Sequence, residues 1–334
     1  MRIAIVRLTS LGDLVHTLPV AHALRRHSPT SYIVWIVEER EQTLLLHNPA
    51  VDEVVVGPTR RWRRELRTPA GALGVLSEFR RLKDRLRSLS LDVAIDVQGL
   101  LKSAIFTVLT QAPVRIGFQW RYAREPLSSL FTTHRVTPPA SAVHMVQKNL
   151  SLLEPLGIPV QEIAFPLPFV PAAEEKALAL LQRYSVKPQD RLAVLIPATR
   201  RPTKQWPPSR YRELANRLTK KAGVRVLLLS GPGEEELLQV VAQGLDSRLI
   251  PVTATSIPEL VAFLRRAHLA VGNDTGPLHL AAALGVPTIG LYGPTRPEWN
   301  GPYGPRVLAL RSPTERIEDL SVDTVLQAVV EWLG

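Results

Sequence analysis

The chain has 334 residues, of which 45% are hydrophobic and 21% charged, and it contains no cysteine. This composition is typical of a folded protein with apolar cores, and it excludes disulfides, thiolate catalysis and cysteine-ligated metals. Its 41 lysines and arginines exceed its 30 acids, giving a net charge of +11, and its length predicts two domains.

The first half of the chain alternates short runs rich in valine and isoleucine with longer segments of helical period. The predicted strands lie at residues 3–6, 32–37, 53–56, 92–97 and 115–118. Segments 13–26 and 72–88 place their apolar residues on one face of a helix. Strands that alternate with helices in this way predict an α/β fold with a parallel sheet and right-handed crossovers.

The second half repeats this plan. Its predicted strands lie at 192–196, 224–229, 269–272 and 288–293, and its predicted helices at 208–221, 234–244, 257–266, 277–284 and 319–332. Between the halves, residues 154–172 hold five prolines, as a linker does. We predict an N-terminal domain over 1–155, a linker over 156–172, a C-terminal domain over 173–318 and a last helix over 319–334 whose docking partner stays open.

The sequence contains no apolar run near the roughly 18 to 20 residues that a membrane-spanning helix needs. Only four apolar residues lie between Arg2 and Arg7, fewer than a secretory signal contains. Positive charge is concentrated between Gly57 and Leu91, where ten basic residues face three acids. A nucleic acid, an anionic membrane surface or an acidic substrate would suit this segment, and no nucleic-acid-binding motif accompanies it. We expect a cytoplasmic protein with an anionic partner.

Four loops that follow predicted strands carry polar residues, and ligands of open parallel sheets bind beyond the carboxyl ends of the strands. The segment "GNDTGPLHLAAALGVP" (272–287) places Thr275 at a helix N-cap, with free backbone N–H groups around Gly276 and Leu278 and with His279 one turn later. Such a helix start binds anions, although simple helix capping explains the same residues. No metal-binding motif is present.

The loop "PATRRPTKQWPPSRY" (197–211) crowds cationic and hydroxyl side chains that suit phosphate oxygens, and a solvated basic loop is the alternative. They are Thr199, Arg200, Arg201, Thr203 and Lys204. The turn "SGPGEEE" (230–236) could present Glu235 to a ribose hydroxyl, although glutamates also suit the first turn of a helix.

The loop "RLTSLGDLVHTLP" (7–19) places Asp13 where the first strand turns into a helix. Asp13 either caps that helix or acts as a general base in a cleft between the domains. Asparagine caps a helix about as well but takes no proton. The sequence therefore predicts that Asp13→Asn abolishes a base-catalysed reaction and leaves stability within roughly 0.5 kcal/mol.

Six segments, in order, resemble the lipopolysaccharide heptosyltransferases of glycosyltransferase family 9, and the resemblance runs from residue 1 to about 310. They are "RLTSLGDLVHTLP", "TRRWRR" (59–64), "DVQGLLKSA" (96–104), "GFQWRYAREPLSSLF" (117–131), "TRRPTKQWP" (199–207) and "NDTGPLHLAAALGVPTIGLYGPT" (273–295). The resemblance implies a GT-B architecture, in which two Rossmann-like domains face each other across a cleft.

The resemblance also implies an activity. It is the inverting transfer of L-glycero-D-manno-heptose from ADP-heptose to Kdo of Kdo2-lipid A, without cofactor or metal, by a monomer peripheral to the inner face of the inner membrane. The segments "RRWRR" and "AREPL" favour addition of the first heptose over the activity of heptosyltransferase II. A family 9 transferase with another acceptor or nucleotide sugar, or a non-catalytic nucleotide or anionic-lipid binding protein, remains as an alternative.

The resemblance assigns roles to individual residues. Asp13 is the catalytic base, and Lys204 stabilises the leaving diphosphate. The implied donor-binding residues are Thr199, Arg201, Lys204, Glu235, Asp274, Thr275, Gly276 and His279. The implied acceptor-binding residues are Ser10, Gly12, Arg60, Arg61, Arg63, Arg64, Gln98, Lys102 and Arg124.

Overall fold

The computed structural model describes residues 1–221, 223–245 and 247–333. The chain divides into two compact units, Met1–Pro168 and Phe169–Gly334. Each unit is built around one six-stranded sheet, and every pair of neighbouring strands in it is parallel.

The first unit alternates strands and helices. Its strands are β1 (Arg2–Val6), β2 (Tyr32–Val37), β3 (Glu53–Val56), β4 (Val93–Asp96), β5 (Val114–Phe118) and β6 (His134–Val136). Its helices are α1 (Leu11–Val15), α2 (Leu18–His27), α3 (Thr59–Glu65), α4 (Pro69–Ser88), α5 (Leu101–Leu109) and α6 (Met145–Ser151). The strand order is β3-β2-β1-β4-β5-β6, which is the order of a Rossmann sheet.

The second unit has the same plan. Its strands are β7 (Arg191–Ile196), β8 (Val224–Leu229), β9 (Leu249–Val252), β10 (Leu269–Asn273), β11 (Thr288–Tyr292) and β12 (Val307–Arg311). Its helices are α7 (Pro171–Arg183), α8 (Pro208–Thr219), α9 (Glu235–Ala242), α10 (Ile257–Leu264), α11 (Gly276–Ala283), α12 (Pro297–Asn300) and α13 (Val322–Leu333). Its order, β12-β11-β10-β7-β8-β9, is again that of a Rossmann sheet read from the other edge.

The predicted helix at 13–26 is two helices in the structure. The first ends at Val15 and the second begins at Leu18, with Pro19 in its first turn. Proline fits the first turn of a helix, where its missing N–H would have no partner, but it breaks a helix interior. The apolar stripe alone predicted one helix because its apolar residues continue through both helices, with Leu14 buried in α1 and Leu18, Ala21 and Leu24 buried in α2.

The last helix packs on the second unit. Val325 and Val329 of α13 are buried in one core cluster with Leu214 of α8 and with Trp206. The indole N–H of Trp206 donates to the backbone carbonyl of Leu320 at 2.8 Å. The division between the units falls within the proline-rich segment, whose end forms the first turn of α7. No helix in the described part of the chain has the length and apolar character to cross a bilayer.

Candidate functional site

Each sheet reverses its strand order once, between its first and fourth strands. The loops that leave two such strands diverge and form a crevice where ligands bind. These are the loops after β1 and β4 in the first unit, and those after β7 and β10 in the second. Asp13, Lys204 and Asp274 lie in or directly after three of these loops.

Asp13 lies in the first turn of α1 and does cap that helix. Its Oδ2 accepts hydrogen bonds from the backbone N–H of Ser10 at 3.1 Å and from the Ser10 hydroxyl at 2.9 Å. Its Oδ1 lies 2.6 Å from Nη2 of Arg7, and its side chain remains 22% exposed. The carboxylate is therefore held in place and still partly exposed to solvent.

Arg7 controls the charge of this carboxylate. The arginine is 2% exposed, and its Nη1 also donates to the carbonyl of Val97 at 2.8 Å. Burial by itself would raise the pKa of Asp13, but the charge of Arg7 and the hydrogen bonds from Ser10 outweigh it and lower the pKa to about 2. Arg124, with Nη1 3.9 Å from Oδ2, acts in the same direction. Asp13 is ionised at neutral pH.

The loop after β4 is organised by Asp96. This buried carboxylate accepts hydrogen bonds from the N–H groups of Gln98 and Gly99 at 2.9 and 3.0 Å and from the Ser103 hydroxyl at 3.0 Å. Burial raises the pKa of Asp96 to about 6, although these hydrogen bonds favour the ionised form. Gln98 is also buried, and its Oε1 accepts from the backbone N–H of Leu8 at 2.8 Å. Its side chain thus joins the two loops of the crevice.

The four arginines of α3 differ in what they contact. Arg60 and Arg61 form ion pairs with glutamates of the first unit, at 3.4 and 2.6 Å. Arg63 and Arg64 are exposed, and neither forms an ion pair within the part of the chain that the structure describes. Of these four arginines, Arg63 and Arg64 are therefore the ones whose positive charge is available to an anionic ligand without breaking an ion pair.

The remaining residues of the predicted acceptor set lie around Asp13. Ser10 holds the carboxylate, and Gly12 is buried inside α1. Lys102 donates to the Thr9 hydroxyl at 3.3 Å. Partial burial lowers the pKa of Lys102, and the neighbouring arginines add to this shift.

Lys204 and Asp274 form an ion pair in the second unit, although they are 70 residues apart in sequence. Nε2 of His279 lies 3.4 Å from Oδ1 of the same carboxylate. Burial opposes the charge of Asp274, but His279 and Lys204 outweigh this effect and hold its pKa well below the usual range. The structure thus brings together three residues of the predicted donor set.

The start of α11 lies next to this pair. Thr275 occupies the N-cap position, but its hydroxyl donates to the carbonyl of Asn273 at 3.3 Å and does not cap the helix. The N–H of Leu278, predicted to be free, instead donates to the carbonyl of Thr275 at 3.1 Å. The N–H of Gly276, the first residue of the helix, has no intrahelical acceptor.

The other predicted donor residues lie in short turns. The hydroxyl of Thr199 accepts from the N–H of Arg201 at 3.4 Å, and Arg201 is exposed. Glu235 accepts from the N–H of Gly233 at 3.1 Å at the start of α9. Glu234 closes the same turn by accepting from the N–H of Gly231 at 2.7 Å.

A sequence profile of glycosyltransferase family 9 (heptosyltransferase) matches residues 79–329. The chain belongs to glycosyltransferase family 9. The resemblance carried by the six segments is therefore confirmed, and the protein is a glycosyltransferase.

Two kinds of relative support this membership. Lipopolysaccharide heptosyltransferase 1 of Pseudomonas aeruginosa is 34% identical over 304 residues, which cover 91% of this chain and 82% of the relative. The solved structure of Escherichia coli heptosyltransferase WaaC with ADP is 30% identical, with a TM-score of 0.83 over 99% of this chain and 100% of that chain. The structure of WaaC with ADP-2-deoxy-2-fluoro heptose has a TM-score of 0.81 over 99% of each chain. The family 9 transferase has the GT-B fold.

The sequence did not point to the buried amide that organises the second crevice of this family 9 transferase. Asn273 accepts from the backbone N–H of Trp206 at 3.0 Å and donates to the carbonyl of Pro197 at 2.7 Å. It joins the loops after β7 and β10, as Gln98 joins those after β1 and β4. In each unit a buried side-chain amide thus links the two loops of the crevice. For Asn273, the one feature of the sequence that could have indicated this role was its position at the end of a predicted strand.

Two buried hydroxyls near the end of β11 in the family 9 transferase were also missed. Tyr292 OH and Thr295 Oγ1 have no hydrogen-bond partner within the described residues. The carboxylate of Asp274 acts electrostatically on the Tyr292 hydroxyl, whose pKa burial raises well above its ordinary value. A buried hydroxyl without a partner costs free energy, which a ligand hydroxyl at this place would recover.

Proposed function

We propose that this family 9 glycosyltransferase moves L-glycero-D-manno-heptose from ADP-heptose to a Kdo residue of Kdo2-lipid A, with inversion at the anomeric carbon. The observation that carries the proposal is the state of Asp13. A carboxylate held ionised by a buried arginine at the crevice of a Rossmann sheet is suited to receive a proton from an attacking hydroxyl.

The second unit supplies the chemistry that a diphosphate leaving group needs. Negative charge grows on the ADP oxygens as the bond to the sugar breaks. The ammonium of Lys204 and the N-terminus of α11 are fixed at the crevice, where preorganised positive charge stabilises a developing anion most effectively. Lys204 then exchanges its contact with Asp274 for a phosphate oxygen, and no metal ion or cofactor is required.

One displacement completes the proposed reaction. The acceptor oxygen forms a bond to C1 of the heptose while the bond from C1 to the diphosphate oxygen breaks and ADP leaves. The hydroxyl proton passes to Asp13. Because the pKa of Asp13 is about 2, the carboxylate is a weak base toward a resting hydroxyl. We therefore expect proton transfer to follow the onset of C–O bond formation, which makes the hydroxyl acidic in an oxocarbenium-like transition state.

The acceptor is anionic, and the first unit offers charge for it. Arg63 and Arg64 are exposed without ion pairs in the described part of the chain, and Lys102 reaches the loop that ends at Asp13. These side chains suit the carboxylates of Kdo and the phosphates of a lipid headgroup. We infer a monomeric cytoplasmic enzyme that meets its substrate at the anionic inner face of the inner membrane and does not bind nucleic acid.

Product analysis tests the proposal. The protein is incubated with ADP-heptose and Kdo2-lipid A, and the products are identified by mass spectrometry and by the anomeric coupling of the new linkage. A single added heptose of inverted configuration supports the proposal. Parallel reactions contain an acceptor that already carries one heptose, or another nucleotide sugar. Transfer only to the heptosylated acceptor, or only from the other donor, would overturn the assigned substrates while leaving the protein a transferase.

A further inference from the structure

An apolar cavity lies in the first unit between α3, α4 and α5. Its volume is about 480 Å³, within the range of roughly 300–1,000 Å³ that ligand pockets occupy. Its lining includes Trp62, Leu66, Val75, Leu76, Ile105 and Phe106. These six residues lie outside the proposed donor and acceptor sets, whereas Lys102, which also lines the cavity, belongs to the acceptor set.

The floor of the cavity is built from packed aromatic rings. Trp62 stacks on Phe106 with ring centroids 6.4 Å apart, and its edge meets Phe79 at 5.9 Å. The indole N–H donates to Glu78 at 2.6 Å. A Cβ at Gly57 would lie 2.6 Å from the Phe106 ring, so this glycine leaves the space that the ring occupies. The floor is therefore fixed by packing on several sides.

The rim of the cavity leaves large apolar side chains in solvent. Leu76 is 45% exposed and Ile105 is 49% exposed. Leu66 at the end of α3 is exposed as well. A contiguous exposed apolar surface that surrounds a preformed cavity is a common feature of binding sites.

Positive charge lies beside this apolar surface. Arg63 and Arg64 are on α3, the helix that supplies Trp62 to the cavity. Lys102 lines the cavity, and its ammonium donates to the hydroxyl of Thr9, which lies four residues before Asp13. An apolar cavity with a cationic edge complements an anionic amphiphile. Through Lys102 the cavity is one side chain away from the loop that leads to Asp13.

We propose that this cavity binds one acyl chain of the lipid acceptor while its anionic sugars lie at the arginines and Asp13. The proposal rests on the function proposed above, and it adds a recognition site for the lipid part of the acceptor. The proposal is wrong if the cavity instead binds an acyl chain of a bilayer phospholipid, a helix of another protein or a second copy of this protein.

The kinetic test compares two acceptors, acylated Kdo2-lipid A in detergent micelles and the same molecule after complete deacylation. We expect Leu76→Ser to raise the ratio of the acylated KM to the deacylated KM by about fivefold or more, because a hydroxyl replaces methyl and methylene groups that the chain contacts. Ala72→Phe, which fills the cavity from α4, should raise the same ratio. Leu73→Ser is the matched control, since Leu73 is a leucine of the same helix that is 72% exposed and does not line the cavity.

A binding measurement locates the chain directly. Kdo2-lipid A with a brominated acyl chain should quench tryptophan fluorescence, and most of this quenching should disappear in Trp62→Phe. Equal KM ratios for the Leu76 and Leu73 variants, or quenching that Trp62→Phe does not reduce, would overturn the proposal. So would equally strong quenching by vesicles of brominated phosphatidylglycerol without acceptor. If the wild-type protein transfers heptose to neither acceptor, the proposed function fails, whereas the quenching still reports separately on the cavity.

Discussion

Arg7 and Asp13 form an ion pair of 2.6 Å in which the arginine is 2% exposed and the aspartate 22%. The aspartate compensates a buried cation at the same time as it caps a helix and presents a carboxylate to solvent. The side chain of Asp13 thus has three roles, and a given substitution removes some of them while keeping others.

Asp13→Asn separates catalysis from capping, but it does not leave the protein untouched. Asparagine keeps the cap and removes the base, so transfer should be lost. It also leaves Arg7 buried without its carboxylate, and breaking such a pair costs about 3 kcal/mol. The sequence alone predicted a change within roughly 0.5 kcal/mol, and the buried arginine is the reason for the larger expected loss. Urea unfolding and single-turnover transfer measure the two effects.

A double variant provides the control. In Arg7→Met/Asp13→Asn neither charge is present, so we expect most of the lost stability to return while transfer stays absent. A single Asp13→Asn variant that transferred heptose at nearly the wild-type rate would remove Asp13 from the reaction.

The buried carboxylate of Asp96 predicts an unusual dependence of stability on pH. Its pKa rises from an ordinary 3.8 to about 6 in the folded protein, so the folded state holds this proton more tightly than the unfolded state. The resulting stabilisation is complete below pH 3.8 and disappears as the pH rises through 6. At about 1.4 kcal/mol per unit the change is about 3 kcal/mol.

Asp96→Asn isolates this contribution. Asparagine still accepts the N–H groups of Gln98 and Gly99, and it has no proton to lose. The free energy of unfolding of the wild type, measured by urea titration between pH 4 and 6, should fall relative to that of the variant. Parallel curves for the two proteins would contradict the raised pKa. The lowered pKa of Asp13 acts in the opposite sense in a separate window, because its stabilisation is present above about pH 4 and is lost toward pH 2.

Lys204 is expected to act on both donor binding and rate. Lys204→Ala removes the cation that would meet the diphosphate, and we expect kcat/KM for ADP-heptose to fall by about 100-fold or more. Initial rates with varied donor measure this loss. Lys220→Ala, at the end of α8 in the same unit, changes an exposed lysine and serves as the control. Equal kinetic constants for the two variants would exclude Lys204 from the site.

Tyr292 and Tyr211 are two buried tyrosines that differ in whether their hydroxyl has a hydrogen-bond partner. The Tyr292 hydroxyl has no partner within the described residues, whereas the Tyr211 hydroxyl donates to the carbonyl of Ile196 at 3.3 Å. Tyr211→Phe should lower the free energy of unfolding by about 1 kcal/mol, and Tyr292→Phe should not lower it.

The Tyr292 hydroxyl is also expected to bind the donor sugar. If it forms a hydrogen bond with a heptose hydroxyl, Tyr292→Phe should weaken the binding of ADP-heptose but not that of ADP, as measured by calorimetry. Equal losses for both ligands would place its contact away from the sugar.

Local signals in the sequence determined nine of the twelve strands in the described residues, together with the loops that end them and the residue types that those loops carry. Apolar runs of four to six residues marked strands such as β2, β3 and β8 with the bounds that the structure has. Because parallel strands present their carboxyl ends at one edge of a sheet, the positions of Asp13, Lys204 and Asp274 followed from the chain itself. The short edge strands β6, β9 and β12 were missed, since none of them has more than two consecutive buried residues.

Only the tertiary structure decided which charges meet. Lys204 forms an ion pair with Asp274, 70 residues later in the chain. Arg61 of the basic segment is paired with Glu78, and the buried Arg7 is paired with Asp13. From the sequence alone, each of these residues could be treated only as an independent charge. Their partners, and the cavity between α3, α4 and α5, depend on how helices and loops pack on a finished sheet. These contacts depend on the three-dimensional path of the chain, whether the partners are 70 residues apart, as Lys204 and Asp274 are, or six, as Arg7 and Asp13 are. No local pattern of apolar and polar residues encodes them.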